Sequence, residues 1–384
     1  MTLSSLSVAV VDDTRDFAAL REEWTELLES SSSDCIFLTW EWLYTWWVHF
    51  GRNRGLFIIT VRSGSQLVAI LPLTSSRTWV GPLSIPLLEF AGTGTIGSDY
   101  LDMISRRNCE SEALDALVPF LSEKATSMRL PRVSESSALA VTLGRVLADQ
   151  GWTCVPVATE VCPIIDLSAG SFDAYLGSLG PNHRYNFKRR LRNLTRDYDV
   201  GIRYARSDEE RREALSDVVN LHLQRWTPRG GSDAFDGSDL LAFHDDFSDL
   251  AQKRGWLRLM VITLDGRPAA AFYGFRYGHR FYFYQSGFDP AFVRSSVGLV
   301  MIGLTIRDAI GEGATEYDML HGDESYKFLW AKTVRQLIRL ELYPPVRLGR
   351  MHRHAARVTA ATRRLARLML KVELGGTRRD VRPL

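Results

Sequence analysis

RFYFYQSGFDPAFVRSSVGLVMIGLTIRDAIGE, residues 280–312, is the stretch that decides the fold. Its aromatic beginning, 280–286, predicts a strand. Apolar side chains then recur at steps of three and four, at Leu299, Ile302, Ile306 and Ile310. This spacing predicts a helix over about 298–312. A strand that leads through a short turn into an apolar helix indicates an α/β fold.

The turn between this strand and this helix is Arg294-Ser295-Ser296-Val297-Gly298. Amides at the start of a helix lack intrahelical partners and lie at the positive end of the helix dipole. The turn therefore predicts a pocket for phosphate. Ser296 could instead serve only as an N-cap, which stabilises a helix by about 1 kcal/mol. Both interpretations stay open at this point.

A cluster of titratable residues follows the next predicted strand, 315–320. Its sequence is DMLHGDESYK, residues 318–327. Open α/β sheets tend to place their chemistry at such strand ends. Here His321, Asp323 or Glu324 could deprotonate an amine or hydroxyl, and Tyr326 could protonate a leaving group. A solvated hairpin with ordinary charges is the alternative.

The pattern of strand, glycine turn and strand occurs twice, at 57–73 and at 257–273. The separation of about 200 residues is far too long for a solenoid repeat. A duplicated α/β domain explains it more simply. We therefore expect two tandem domains with mixed sheets, over residues 1–166 and 167–345.

Residues 346–384 form a basic tail with 11 Arg and Lys against two acids, in a chain whose formal net charge is only +2. Helical spacing places one set of apolar residues on one face: Val358, Ala361, Leu365, Leu368 and Val372. The opposite face carries the charges: Arg353, Arg357, Arg364, Arg367 and Lys371. Such a basic amphipathic helix could lie on an anionic membrane surface, bind a polyanion or dock on a partner. A helix packed on its own domain is the alternative.

Composition excludes several classes of protein. The chain has 384 residues, 45% of them hydrophobic and 24% charged, which is typical of a globular protein with a real core. Its four cysteines form no C-x-x-C pair, so the sequence predicts neither a zinc site nor a disulfide framework. No signal peptide or membrane span is expected. These features favour a cytoplasmic protein without a metal.

Two further motifs have ordinary alternatives. Residues 92–97 read G-x-G-x-x-G, but a strand rather than a helix is predicted to follow, so we interpret them as a loop. Residues 183–206 carry eight Arg and Lys, beginning with Arg184, against two acids. That density could bind phosphate groups on a nucleotide or RNA. A solvated helix face is the commoner explanation.

The order of these segments resembles a known family. The segments are the Trp-rich 37–47, the hairpin end Ile70-Leu71-Pro72-Leu73, Ser98-Asp99-Tyr100-Leu101-Asp102, Leu221-His222 to Arg225-Trp226, Gln285 to Pro290, Ser296-Val297-Gly298, and Tyr317-Asp318 to Tyr326-Lys327. Together they resemble the GNAT-fold acyltransferases of the CelD/BcsL type, relatives of the FemAB-like double-GNAT proteins. The resemblance implies two tandem GNAT-like domains.

The resemblance also implies a reaction and a site. An acyl group, usually from acetyl-CoA or another acyl-CoA as co-substrate, would pass directly to an amine or hydroxyl of a cell-envelope or exopolysaccharide precursor. The thioester and pyrophosphate would be held by Gln285, Ser286, Gly287, Arg294, Ser295, Ser296, Val297 and Gly298. Catalysis would fall to Tyr326 as acid and to Asp318 or His321 as base. Lys327, Arg184 and Trp226 would bind substrate.

Two other functions stay open. FemAB relatives that use aminoacyl-tRNA imply a peptidyltransferase with tRNA as its partner, which the basic segments favour. A non-catalytic scaffold in a polysaccharide assembly would instead use the amphipathic tail. Under each interpretation the protein is expected in the cytoplasm, with the tail allowing peripheral contact with the inner face of the membrane.

Overall fold

The computed structural model describes residues 6–136, 138–226 and 233–376. Helices and strands alternate along the chain in a mixed α/β fold, which confirms the predicted fold class. The strands of the first half are β1 (Leu6–Val11), β2 (Gly55–Ser63), β3 (Gln66–Val80), β4 (Leu83–Phe90), β5 (Ile104–Ser105), β6 (Ser127–Ser134) and β7 (Thr153–Asp166). Its helices are α1 (Thr14–Ala19), α2 (Arg21–Glu29), α3 (Trp40–Phe50), α4 (Glu110–Lys124) and α5 (Leu139–Asp149).

The second half contains a similar series of elements. Its strands are β8 (Val200–Tyr204), β9 (Leu257–Leu264), β10 (Arg267–Tyr277), β11 (Arg280–Phe288), β12 (Glu316–Asp318) and β13 (Thr333–Tyr343). Its helices are α6 (Phe172–Ser178), α7 (Pro181–Asp197), α8 (Asp208–Trp226), α9 (Ser238–Lys253) and α10 (Val297–Gly311), followed by the long α11 (Arg347–Gly376). The predicted helix at 298–312 is therefore α10, shifted by one residue.

All the main strands join one mixed sheet, in the order β1-β2-β3-β4-β6-β13-β7-β12-β11-β10-β9-β8. The order reads as two similar halves that meet in the middle. There, β7 from the first half and β13 from the second pair antiparallel from Thr153↔Tyr343 to Thr333↔Ile164. The last strand of each half thus lies next to a strand of the other half: β13 lies between β6 and β7, and β7 lies between β13 and β12. The predicted boundary at residue 166 falls at the end of β7, inside the shared sheet, so the proposed domain limits stay a prediction.

Two strands of the first half differ greatly in length. β7 runs without a break from Thr153 to Asp166. β5 contains only two residues, and Tyr100 before it has a left-handed φ of 59°. Residues 92–97 form no regular element and contain three glycines with positive φ. They are a loop, as the sequence analysis predicts.

The core extends from the first half into the second. Trp42 of α3 is fully buried and packs edge-on against Phe243 and Phe247 of α9, with ring centres 5.1 and 4.6 Å away. It also contacts Tyr284 of β11 at 5.6 Å. Aromatic pairs at these distances stabilise a core beyond their buried area. The Trp-rich helix therefore fixes the first half against the strand that the sequence analysis places at the site.

The tail begins as the predicted helix. The start of α11 packs on the sheet through His352, which is buried, whereas Val358 is 66% exposed. Val358 therefore does not face the protein's own core. The side chains of Leu365, Leu368, Val372, Arg364, Arg367 and Lys371, which complete the predicted faces, lie outside the described residues. In the part of the chain that is described, no helix combines the length and the apolar character needed to cross a bilayer.

Candidate active site

A gap opens in the sheet where two parallel strands separate. β11 and β12 pair only over three positions, from Arg280↔Glu316 to Tyr282↔Asp318. Beyond this point β12 ends, while β11 continues to Phe288. The register of β11 on β10 also shifts at Tyr284, which leaves one extra residue there. Such a bulge bends a strand and redirects its groups, so β11 turns away from β12 and leaves a cleft.

A cavity of about 320 Å³ fills this cleft. Most of its wall comes from the second half, with Trp226, Gln285, Ser286, His321 and Tyr326 among the lining residues. Thr95 and Gly97 of the first half complete it. The cavity thus brings together Gln285, Ser286, His321, Tyr326 and Trp226 from the predicted set.

His321 is held by a carboxylate from the first half. Asp99 Oδ2 accepts the backbone N–H of His321 and lies 2.9 Å from its ring Nδ1. Because a carboxylate only accepts, Nδ1 carries the proton when the ring is neutral. Nε2 is then an acceptor, and it has no hydrogen-bond partner among the described residues. The His321 side chain is 31% exposed, which gives it access to the cavity.

Asp99 is fully buried and ionised. Burial by itself would raise the pKa of this carboxyl, but the charge and hydrogen bonds of His321, with Arg132, outweigh burial and hold the pKa below its ordinary value. Arg132 Nη1 lies 3.4 Å from Asp99 Oδ1 and also binds Glu160. The arrangement is the pairing of a base with an orienting carboxylate that is known from hydrolytic triads.

Asp318 does not reach the cavity. Its side chain is completely buried at the end of β12, where Oδ1 accepts the backbone N–H of Leu320 and Oδ2 lies 3.4 Å from Arg335. Burial raises the pKa of this carboxyl to about 7. Leu320 has a left-handed φ of 53°. The predicted base therefore acts in this structure as a support for the turn that presents His321, because it has no path to a substrate.

Tyr326 stands between two cavities. Burial raises the pKa of its phenol to about 12, so the group keeps its proton at neutral pH. The guanidinium of Arg225 lies 5.5 Å from the centre of the Tyr326 ring, 5.2 Å from Trp226 and 5.1 Å from Phe288. Such cation–π contacts fix the three rings around one cation. Tyr326 thus keeps a protonated phenol in the walls of both cavities.

Lys327 holds the loop that carries His321. Its side chain is buried, and Nζ donates to the carbonyls of Leu320 at 3.2 Å and His321 at 2.6 Å. The third contact is an ion pair with Glu324 at 3.1 Å. An ammonium has three donors, so all of them are used within the loop. Lys327, which the resemblance implies as a substrate anchor, therefore holds the loop at residues 320–324 together in this structure.

A second cavity, of about 220 Å³, neighbours the first and is lined by the start of α10. The two share Arg225, Ser286 and Tyr326 as lining residues. Ser296 precedes the helix with a left-handed φ of 56° and makes no side-chain cap. Val297 and Gly298 also line this cavity, and as the first two residues of a helix their amides have no intrahelical acceptor.

The remaining predicted residues lie near the two cavities or away from them. Gly287 packs against α8 so closely that an added Cβ would come 2.2 Å from the backbone nitrogen of His222. The Ser295 hydroxyl lies 3.3 Å from that of Tyr198, and the Arg294 carbonyl accepts from Arg190 at 3.0 Å. Arg184 donates to Gly177 and lines neither cavity.

Sequence reasoning missed three residues that shape the site: Asp99, Arg225 and His222. His222 Nδ1 lies 3.1 Å from the Ser286 carbonyl, and since a carbonyl only accepts, the ring donates there. Burial lowers the pKa of His222. All three residues stand in segments quoted above for the resemblance. Their segments could be found from the sequence, but their roles depend on contacts between the two halves.

Across residues 6–136, 138–226 and 233–376, no group of three or more His, Cys, Asp or Glu side chains is placed to hold a metal ion. The four cysteines are free. What the site offers is an imidazole, a phenol and a helix start in the walls of two neighbouring cavities.

Comparison with known proteins agrees with this geometry. Residues 181–328 match the family model of the acetyltransferase (GNAT) domain. A structure of FemX aligns over 86% of this chain and 96% of its own, with a TM-score of 0.57 and 13% identity. L-PGS from Bacillus licheniformis aligns over 90% and 96%, with a TM-score of 0.51 and 12% identity. No curated protein sequence matches.

A protein of unknown function from Bacteroides thetaiotaomicron is also similar, over 88% of this chain and 100% of its own, with a TM-score of 0.54 and 13% identity. Identities this low show the shared fold alone. The domain match supports the predicted GNAT-like fold, while the CelD/BcsL type stays a prediction. Residues 181–328, in the second half of the chain, are therefore similar to the acetyltransferase (GNAT) domain.

Proposed function

We propose that this protein transfers an acyl group, in the first instance acetyl, from acyl-CoA to an amine or hydroxyl. One observation carries the proposal: the two cavities are neighbours with Arg225, Ser286 and Tyr326 in both walls, and His321 lines one of them while the start of α10 lines the other. A thioester on a long, phosphate-bearing arm would occupy both. The phosphate would lie at the helix start and the reacting carbon near the imidazole.

In this proposal His321 is the general base. Nε2 takes a proton from the attacking amine or hydroxyl, and Asp99 stabilises the imidazolium that results. The nucleophile forms its bond to the acyl carbon, the C–S bond breaks, and the phenol of Tyr326 gives its proton to the leaving thiolate. Asp318 and Lys327 act on this chemistry indirectly, because both hold the turn at residues 320–324.

The donor would be held by the turn before α10. Val297 and Gly298 line the second cavity, and unpaired amides at a helix start favour phosphate. Helix α7 crosses this turn, with Arg190 donating to the Arg294 carbonyl at 3.0 Å. Its basic side chains add positive charge outside the cavity. These features support a pyrophosphate-bearing donor.

For the acceptor we propose a cell-envelope or exopolysaccharide precursor. The wall of the first cavity includes Trp226 and Gln285, an aromatic surface beside a neutral polar group, which suits a hydroxylated or amino-bearing ring. The similar structures include the C-terminal domain of a putative lysylphosphatidylglycerol synthetase from Agrobacterium fabrum, a protein named for a membrane lipid. The basic α11 supports the same setting by its charge.

A second donor, aminoacyl-tRNA, is favoured by a specific surface. Helix α7 contacts the turn before α10 through Arg190 and carries several basic side chains along its length: Arg184, Lys188, Arg189, Arg190, Arg192 and Arg196. An RNA acceptor stem on this face would bring its ester to the same cleft. Binding that depends on such contacts weakens steeply as salt rises. This salt dependence distinguishes the two donors.

Calorimetry with acetyl-CoA tests the proposal. We expect saturable binding to the wild type that Gly298→Glu abolishes, because the new carboxylate enters the phosphate pocket and its Cβ would lie 3.3 Å from the Phe288 ring. Gly311→Glu is the matched control, since a Cβ at the other end of α10 meets no atom within 4 Å. Absence of binding to the wild type overturns the acyl-CoA donor. Steeply salt-dependent tRNA binding would then support the second donor.

A further inference from the structure

A second cleft, of about 620 Å³, lies on the part of the sheet that belongs mainly to the first half. Its floor is formed by side chains of β6, β7 and β13, and its walls are the end of β3 and the first turns of α11. No lining residue is shared with either cavity of the acyl-transfer site. The proposed function does not use this cleft.

The charge of the cleft is unbalanced. Four arginines line it: Arg129, Arg339, Arg353 and Arg357. Among the described lining residues Glu341 is the single carboxylate, and both of its oxygens are engaged, one with Arg339 at 2.9 Å and one with the Tyr343 hydroxyl at 2.9 Å. Outside the lining, Glu89 lies 3.7 Å from Arg129, so the uncompensated charge is that of Arg353 and Arg357, which have no ion pair among the described residues. This excess favours an anion, and planar guanidinium groups match phosphate in particular.

Two buried polar atoms in the cleft have no partner. His352 is 4% exposed, and its Nδ1 makes no hydrogen bond to any described residue. The same holds for Nε of Arg353, whose Nη1 donates to Thr153 at 3.0 Å. Buried polar groups in folded proteins are normally satisfied. Both residues line the cleft, so these unsatisfied polar groups lie next to the space that a ligand would fill.

An aromatic side chain stands at the edge. Trp79, near the end of β3, is 71% exposed although it lines the cleft. An exposed indole beside several arginines offers an apolar surface next to positive charge. A ligand with a phosphate and a flat ring or an acyl chain would use both. Arg357, which is also exposed, closes the cleft from α11.

We propose that this cleft is a second binding site, for a phosphate-bearing molecule. The phosphate would contact Arg129, Arg339, Arg353 and Arg357, with His352 beneath it, and the remainder would lie against Trp79. The same chemistry is present in a soluble phosphate ester and in an anionic lipid headgroup. The site would hold such a molecule independently of acyl transfer.

The test uses the full chain and two probes at fixed ionic strength: pyrophosphate by calorimetry, and vesicles of phosphatidylglycerol or phosphatidylcholine by co-sedimentation. We expect Arg339→Gln with Arg357→Gln to weaken binding of the preferred probe at least tenfold. The double control Arg212→Gln with Arg307→Gln removes the same charge from exposed positions elsewhere and should change binding less than twofold. Thermal unfolding of each variant verifies the fold.

The outcomes separate the sources of phosphate. Loss of pyrophosphate binding in the cleft variant supports a soluble ligand, and loss of phosphatidylglycerol binding alone supports a lipid headgroup. Trp79→Ala, at an exposed position that folding does not require, should weaken vesicle binding in the second case. No binding of either probe to the wild type, or equal losses in cleft and control variants, overturns the proposal. Acetyl-CoA binding is expected to stay unchanged in all of them.

Discussion

The carboxylate of Asp99 and the imidazole of His321 are 222 residues apart in the chain and 2.9 Å apart in the structure. The first half of the protein therefore contributes a charged group to the cleft of the second. Because Asp99 is completely buried, its orientation of the ring is fixed by packing as well as by hydrogen bonding. Neither half alone contains the pair.

This pair makes a kinetic prediction. His321→Ala should lower kcat/KM for the acyl-CoA reaction by about 10²- to 10⁴-fold, the usual contribution of a general base. Asp99→Asn should lower kcat more than it raises KM, and the double variant should be no slower than His321→Ala, because the two residues act as a unit. Steady-state kinetics of the three variants measures this.

The matched control is Asp102, another buried carboxylate of the same loop. It accepts the amides of Leu139 and Ala140 at the start of α5 and does not touch His321. Asp102→Ala should lower the free energy of unfolding by about 1–2 kcal/mol through loss of the cap, with little effect on kcat of the folded enzyme. A fully additive loss of rate in the Asp99 and His321 double variant would contradict the assigned pairing.

Parts of this site can be predicted from sequence because they are local. The apolar periodicity at residues 299–310 is enough to place α10. The glycine turn expected within 257–273 is formed by Asp265 and Gly266, whose φ angles are 51° and 77°. Tyr326 and His321 follow a strand within a few residues. Propensity and spacing act over such distances.

The remainder depends on contacts between distant segments. β4 and β6 each contain a proline, Pro86 and Pro131, and such residues weaken the signal of a strand. The orienting role of Asp99 follows from the shared sheet, in which β7 and β13 lie beside strands of the other half. Asp318 and Lys327 are of the predicted residue types, but the turn at 320–324 uses their polar atoms for its own backbone.

Asp318 predicts a pH dependence of stability. Its pKa is about 7 in the folded protein against an ordinary 3.8, so the folded state holds a proton there that the unfolded chain releases. The stability due to this group is therefore complete below about pH 4 and is lost as the pH rises to about 7 and above. Asp318→Asn removes this titration, and Arg335 keeps its ion pair with Glu316 at 3.0 Å.

Urea unfolding of the wild type and Asp318→Asn between pH 4 and pH 8 measures the effect. The free energy of unfolding of the wild type should fall relative to the variant by up to about 1.4 kcal/mol for each pH unit in this range. Parallel curves would show that Asp318 is ionised at little cost in the folded protein.

Tyr326→Phe should slow acyl transfer by about 10- to 10³-fold while leaving the affinity for acetyl-CoA within twofold. The ring that contacts Arg225 is kept, and only the proton donor is lost. A thioester of an aromatic thiol, which leaves readily without a proton, should react almost equally with wild type and variant. Single-turnover rates with both donors test this, and an equal loss with both would exclude the role of acid.

Packing of α10 on α7 can be tested with two glycines of one helix. A Cβ at Gly303 would lie 2.1 Å from the Phe187 ring, whereas a Cβ at Gly311 meets nothing within 4 Å. Gly303→Ala should therefore destabilise the protein by about 1–3 kcal/mol through overpacking, while Gly311→Ala should be neutral or stabilising by up to about 1 kcal/mol. Chemical denaturation gives both values, and similar effects would contradict the close contact.

A substitution at Lys327 tests whether this residue holds the loop at 320–324 or binds substrate. Lys327→Met leaves the carbonyls of Leu320 and His321 without their buried donor, so the free energy of unfolding should fall by about 2–4 kcal/mol. If Lys327 only positions the loop, kcat falls and KM rises, and each of these changes is equally large for a charged and for a neutral acceptor. An anchor would raise KM for anionic acceptors alone. Kinetics with an acceptor pair that differs in one negative charge distinguishes the two, and we expect the first result because all three donors of the ammonium already lie within the loop.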